Sequence, residues 1–99
     1  MAALRVALLE EEVSEFVAAS GNGDLIGIAD ALADIVYVIY GTAVTYGIDL
    51  DSVLREVHRA NMSKLASDGR PVLRDDGKVL KSERYFPPDI ASVLSLSSG

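Results

Sequence analysis

The chain has no cysteine, no tryptophan and one histidine. Without cysteine it has no disulfide scaffold, no cysteine-based zinc finger and no thiol nucleophile, a usage that fits the cytoplasm. Aromatic residues are sparse, with four tyrosines and two phenylalanines among 99 residues. Bases are outnumbered nine to fifteen, for a net charge of −6. That balance argues against a nucleic-acid partner, because phosphate backbones need clustered cations. The shortage is local: residues 1–54 carry nine acids and Arg5 as their only base, whereas residues 55–99 carry eight bases and six acids. Two such halves suit two different ligands. A long uninterrupted apolar run is also missing. The most apolar stretch, Leu25 to Ile48, is long enough to span a bilayer, but Asp30 and Asp34 lie inside it. Each would cost ~2.5–3.5 kcal/mol at a bilayer centre. The stretch therefore reads as a buried helix of a soluble bundle, with no membrane partner. Met1–Arg5 lacks the charged start and cleavage site of a signal peptide, so no leader is expected.

What is present is a small apolar domain, 49% hydrophobic and 24% charged, expected to be a single unit over residues 1–99. The fold class read from its periodicity is all-α. Residues 2–20 form a first helix with Val6, Leu9, Val13, Phe16 and Val17 as its apolar stripe. Ser20–Asp24 is turn chemistry. Residues 25–46 form a second helix on the line Ile28, Leu32, Ile35 and Ile39. Gly47 suits its C-terminal cap, and Asp49 suits the N-cap of a third helix, from about Leu50 to Leu65. Val53, Leu54, Val57 and Ala60 supply that helix's buried face. After Ser67 the pattern breaks into a basic tail, residues 68–99. Asp76-Gly77 suits a tight two-residue hairpin turn there. Pro87-Pro88 precedes a short terminal helix bearing Ile90, Val93 and Leu94, and Ser95–Gly99 is expected to fray. Helices this short and this apolar have little core of their own. A homo-oligomer, dimer or tetramer, is expected to complete a four-helix-bundle core.

The chemistry lies in the carboxylates. Glu12 and Glu15 are three apart on the first helix and share a side. Asp30 and Asp34 are four apart on the second, on a strip continued by Gly27, Tyr37 and Gly41. Carboxylates converging in a bundle without cations would repel, and some would have to take up protons. A divalent cation resolves this, and oxygen-only ligands favour Mg²⁺ or Mn²⁺. Carboxylates on facing helices are a recurrent way to hold such an ion.

These residues carry a resemblance. Glu11-Glu12-Val13-Ser14-Glu15 resembles the Glu-Glu-x-x-Glu motif of the MazG-like, all-α nucleoside triphosphate pyrophosphohydrolases. Ala29–Tyr37 looks like that family's second acidic motif, continued by Tyr40-Gly41-Thr42-Ala43 and Gly47-Ile48-Asp49. Val57–Lys64, Asp76–Lys81 and Tyr85–Ile90 look like the segments that follow in the branch related to dimeric dUTPases and phosphoribosyl-ATP pyrophosphohydrolases. The resemblance spans Leu4 to Leu94. It implies hydrolysis of a nucleoside triphosphate between the α and β phosphates, giving a monophosphate and pyrophosphate. It places metal ligands at Glu12, Glu15 and Asp34. Glu11 is a fourth acid that holds a second metal or orients the attacking water, and Glu11 or Glu12 is the catalytic carboxylate. Where the family has Glu-x-x-Asp, this chain has Ala31; Asp30, one residue earlier, is the expected substitute ligand.

The resemblance also implies that Asn61 and Lys64, read as three apart on the third helix, touch the triphosphate. Lys78 and Lys81 are expected to close over the phosphates, with Arg84 assisting. His58 is read as structural or exposed rather than catalytic. The nucleotide is dUTP or another (d)NTP. The alternatives are phosphoribosyl-ATP as substrate, or a non-catalytic nucleotide- or partner-binding helical oligomer, which Ala31 favours.

Overall fold

Two glycine–aspartate breaks punctuate the first half of the chain and set its helices. The structure, a computed structural model, describes residues 2–65 and 68–98, with side chains to residue 95. Helix α1 runs Ala2–Gly21, α2 Leu25–Tyr46, α3 Leu50–Met62 and α4 Ile90–Ser98. Two short strands, β1 (Val72–Leu73) and β2 (Val79–Leu80), form an antiparallel hairpin. At the first break Gly23 takes φ +64. The Asp24 amide bonds the Ala19 carbonyl at 3.0 Å, and the Gly23 amide bonds that of Ser20. This is a Schellman closure, which uses carbonyls the helix end would leave unpaired. Asp24 then caps α2 by accepting from the Gly27 amide at 3.0 Å. The second break repeats the device. Gly47 at φ +70 closes α2 onto Ala43 and Val44, and Asp49 caps α3 through Ser52. The capping roles of Gly47 and Asp49 match the sequence reading; that of Asp24 is an addition to it.

The chain divides into two compact units, residues 1–48 and 49–99. In the first unit α1 and α2 pack as an antiparallel hairpin. The face α1 turns inward differs from the expected stripe. Its half-buried positions are Arg5, Leu8, Leu9, Glu12, Phe16 and Ala19, whereas Val6, Val13 and Val17 are exposed. On α2, Ile28, Ala31, Asp34, Ile35, Val38 and Thr42 are buried or half-buried, whereas Leu32, Val36 and Ile39 are exposed. The physical reason is size. The small α2 side chains at Ala31 and Gly41 let α1 approach, so the hairpin closes on a mixed face, with Arg5, Glu12 and Asp34 among its apolar residues and much other apolar surface outside. Among the described residues the buried ones are three alanines, Ala31, Ala43 and Ala60. By length and composition alone, α2 is apolar enough to cross a membrane, with Asp30 and Asp34 inside it.

In the second unit α3 ends at Met62, three residues short of the expected Leu65, because Ser63 caps it. Lys64 therefore sits in a turn just past the helix, its amide bonded to the Asn61 carbonyl at 3.1 Å. The hairpin loop holds three residues, Asp75, Asp76 and Gly77, rather than two. The Gly77 amide bonds the Arg74 carbonyl, and the Arg74 amide bonds that of Lys78. Gly77 at φ +87 occupies the left-handed position that follows a turn in such loops and favours glycine. Helix α4 continues to Ser98 rather than fraying from Ser95; the break at Ser67 and the end at Gly99 lie outside the described residues. Unit two is fastened by side chains. The Glu56 carboxylate takes a fork from Arg59 at 2.8 and 3.0 Å. It also accepts the Asp89 amide at 2.7 Å, tying the start of α4 to α3. Ser63 accepts the Phe86 amide at 3.0 Å through its hydroxyl and the Ser82 hydroxyl at 2.9 Å through its carbonyl.

Candidate functional site

The first hairpin carries an acidic group, with Glu12 and Asp34 half-buried and Glu15 exposed. Glu12 and Glu15, one turn apart on α1, meet Asp34 from α2: one carboxylate oxygen from each lies within 4.8 Å of the others. Glu12 is the inner member. Its Oε2 is buried and has no hydrogen-bond partner. Burial raises its pKa above the usual carboxylate value, and the nearby charges of Glu15 and Asp34 push it the same way. A buried acceptor without a donor is costly, and crowded carboxylates compete for protons. An oxygen-only donor set with one unused buried oxygen fits a hard divalent cation such as Mg²⁺ or Mn²⁺. Glu11 and Asp30 are exposed and outside this group, although the Glu11 charge contributes to the Glu12 shift. The position where the family pattern has a glutamate, Ala31, is 3% exposed. A methyl group packs there instead of a carboxylate.

Arg5, the lone base of this unit, does not neutralise the acids. Its Nε donates to Thr42 Oγ1 at 3.0 Å and its Nη2 to the Val38 carbonyl at 3.1 Å. A Cβ at Gly41 would stand 2.7 Å from that Nη2, so the glycine makes room for the guanidinium. In the sequence Arg5 stands out only as a charge. Its spacing of seven residues from Glu12, two turns along one face, was the available signal.

The residues expected to meet phosphates lie in the second unit. Lys64 and Lys81 converge on one ring: their ammonium groups stand 5.9 and 4.9 Å from the centroid of Tyr85. Tyr85 was legible only as part of a motif. Asn61 and His58 are exposed on α3, and Lys78 is exposed in the hairpin. Arg84 lines an open cavity of about 290 Å³ together with Arg59, Met62, Ser63, Leu65, Gly69 and Phe86. Arg59 is already engaged by Glu56 and stands 4.4 Å from the Phe86 ring centroid.

Comparison with known proteins gives a family. Residues 1–61, which include all three clustered acids, match the family described as phosphoribosyl-ATP pyrophosphohydrolase. A relative, "Uncharacterized protein L479" of Acanthamoeba polyphaga mimivirus, is 38% identical over 68 residues, covering 69% of this chain and 25% of the relative. The chain thus spans about a quarter of the length of that relative. The family match covers both helices of the acidic hairpin and most of α3, and on that ground the chain belongs to the phosphoribosyl-ATP pyrophosphohydrolase family, within the MazG-like nucleotide pyrophosphohydrolase superfamily.

Proposed function

We propose that the chain hydrolyses a nucleoside triphosphate between its α and β phosphates, releasing a monophosphate and pyrophosphate, with Mg²⁺ or Mn²⁺ as cofactor. The observation that carries the reading is the buried, unpartnered Glu12 Oε2 beside Glu15 and Asp34. These three residues would hold the cation. When bound, it supplies positive charge to the phosphate oxygens and acidifies water. Glu11, exposed beside the cluster, takes a proton from the water that attacks the α phosphorus. The bond from that phosphorus to the bridging oxygen breaks, and pyrophosphate leaves. Asn61, Lys64, Lys78 and Lys81 meet the negative charge of the phosphates. Asp30 stands outside the carboxylate group and serves at most through water.

Family membership and the acidic hairpin support the bond that is cut, and dUTP or another (d)NTP is the substrate class taken here. The description of the matched family favours a second substrate, phosphoribosyl-ATP, cut at the same bond. We further propose a homo-oligomer. Leu25, Ile26, Leu32, Val36, Tyr37 and Val44 are all exposed on α2, and a second copy of the hairpin would cover such a face as a four-helix bundle. A cysteine-free enzyme acting on nucleotides suits the cytoplasm.

The test is pyrophosphate release from a panel of NTPs, dNTPs and phosphoribosyl-ATP, with Mg²⁺, with Mn²⁺ and with EDTA. Metal-dependent release with a monophosphate as the other product is expected, and the ranking names the substrate. No release from any of them overturns the hydrolase reading in favour of a nucleotide-binding module. Sedimentation gives the oligomeric state, and a monomer would remove that part of the proposal.

A further inference from the structure

Lys64 and Lys81 come from separate segments, yet both cations stand over one aromatic ring. Lys64 follows the C-cap of α3 and is half-buried; Lys81 follows β2 and is exposed. Like charges near one site repel, and the ion pairs Arg59–Glu56 and Arg74–Asp76 involve neither lysine. What attracts each of them is the electron-rich ring of Tyr85, its centroid 4.9 Å from one ammonium group and 5.9 Å from the other. Both distances are within the range of a cation–π attraction.

The backbone that carries the ring is held. The Phe86 amide donates to Ser63 Oγ at 3.0 Å, the Ser82 hydroxyl donates to the Ser63 carbonyl at 2.9 Å, and the Tyr85 amide donates to the Ser82 carbonyl at 3.1 Å. Tyr85 is thus fastened to the end of α3, immediately beside Lys64. An arrangement that gathers two cations and holds them without a carboxylate is short of one thing, an anion with oxygens for both.

We infer that Tyr85 is a positioning residue: its ring holds Lys64 and Lys81 together as one seat for a diphosphate group. The inference rests on the hydrolase reading for the source of that group, the β and γ phosphates of the substrate and the pyrophosphate product. The hydroxyl has no part in it; the ring face does.

The experiment is calorimetric titration of the full chain with inorganic pyrophosphate in EDTA, which needs neither turnover nor metal. Wild type and Tyr85→Phe should bind alike. Tyr85→Leu, which keeps bulk and loses the ring, should bind about five- to thirtyfold more weakly, the effect of two cation–π contacts near the surface. In a Lys64→Gln/Lys81→Gln background, Tyr85→Leu should cause no further loss. With substrate, Tyr85→Leu should raise KM by a similar factor and leave kcat unchanged. Equal affinity of wild type and Tyr85→Leu overturns the inference, as does a Phe variant as weak as the Leu variant, or no pyrophosphate binding by wild type. Should Tyr85→Leu not fold, the ring proton resonances of Tyr85 in wild type decide. Pyrophosphate should shift them, but not in the double lysine variant; unmoved resonances overturn the inference. Binding that follows this pattern in a chain that hydrolyses nothing would sink the hydrolase reading and leave the diphosphate seat. Turnover with KM unchanged in Tyr85→Leu would sink the seat and leave the hydrolase.

Discussion

Residues 1–48 carry seven acids and one base, and residues 49–99 carry eight of each. The two units use their charges in opposite ways. In the second, Glu56 clasps Arg59 and the Asp89 amide, and Arg74 clasps Asp76. Those charges fasten elements together, and each has an internal partner. In the first, Glu12, Glu15 and Asp34 have mainly each other, and the one base bonds elsewhere. A charge set that holds the fold is compensated within the fold. One that raises the proton affinity of its own member, as Glu12 shows, points to something outside the chain. The difference locates a candidate site without reference to any motif, because a fold gains nothing from gathering acids it does not compensate and half-burying two of them.

The largest expected effect tests that difference directly. Glu12→Gln keeps the shape of the side chain and removes the charge. Turnover should fall by about 100-fold or more, since catalytic carboxylates typically contribute at that level or above. Without metal the same variant should melt higher than wild type, because the repulsion among the three acids is relieved. Thermal melts with and without Mg²⁺ read both signs. Wild type should gain stability from the ion and the variant should gain little. A variant that melts lower than wild type without metal would mean that the three acids do not strain the hairpin.

The same contrast explains what could be read from the chain alone. Helix positions in the first unit follow from apolar spacing and from Gly47 and Asp49, and α2 runs over the expected residues, Leu25–Tyr46. The inward face followed from that spacing only in part: Leu9, Phe16, Ile28 and Ile35 lie inward, and the rest of the expected lines does not. Counting apolar residues picks out Val13 and Val17, yet these are 42% and 61% exposed while Arg5 and Glu12 lie inside. Periodicity identifies a helix's greasy side, and a hairpin that packs close at small residues turns part of that side outward. Glu12, Glu15 and Asp34 were legible because their helical spacings are local. Asp30 shared that spacing and stayed outside, because one residue of helical rotation puts buried Ala31 at the contact instead. In the second unit the Ser63, Glu56 and Tyr85 contacts join residues about 20 to 33 apart, and no local pattern announces them.

A second prediction concerns how the second unit is fastened. The Arg59 fork, then the Asp89 amide, lower the pKa of Glu56 to about 2. Its folded value therefore lies below its unfolded one, near the usual 4.5. The stabilisation is complete above that usual value and is lost as pH falls through about 2. Asp76, lowered by Arg74 and by the Lys78 amide, acts in the same direction. Urea midpoints measured from pH 5 down to pH 2 should fall more steeply in wild type than in Glu56→Gln, which has no charge to lose. Parallel curves would mean that Glu56 does not tie α4 to α3 in solution.

The smallest effect, and the finest test of the first unit, is Gly41→Ala. Alanine is favoured over glycine inside a helix by roughly 0.5–1 kcal/mol. Here the added Cβ would stand 2.7 Å from Arg5 Nη2, so the tip of the guanidinium must shift and its hydrogen bond to the Val38 carbonyl is lost. A lost hydrogen bond of this kind costs about 1 kcal/mol, so the two terms nearly cancel and the single variant should melt close to wild type. In an Arg5→Ala background nothing remains to displace. The same substitution should then stabilise the chain by the full helical preference, ~0.5–1 kcal/mol. A double-mutant cycle on urea midpoints measures the difference. If Gly41→Ala is equally stabilising in both backgrounds, Arg5 does not hold α1 to α2 at this point. The lone base of the acidic unit would then be free to serve a ligand instead of the fold.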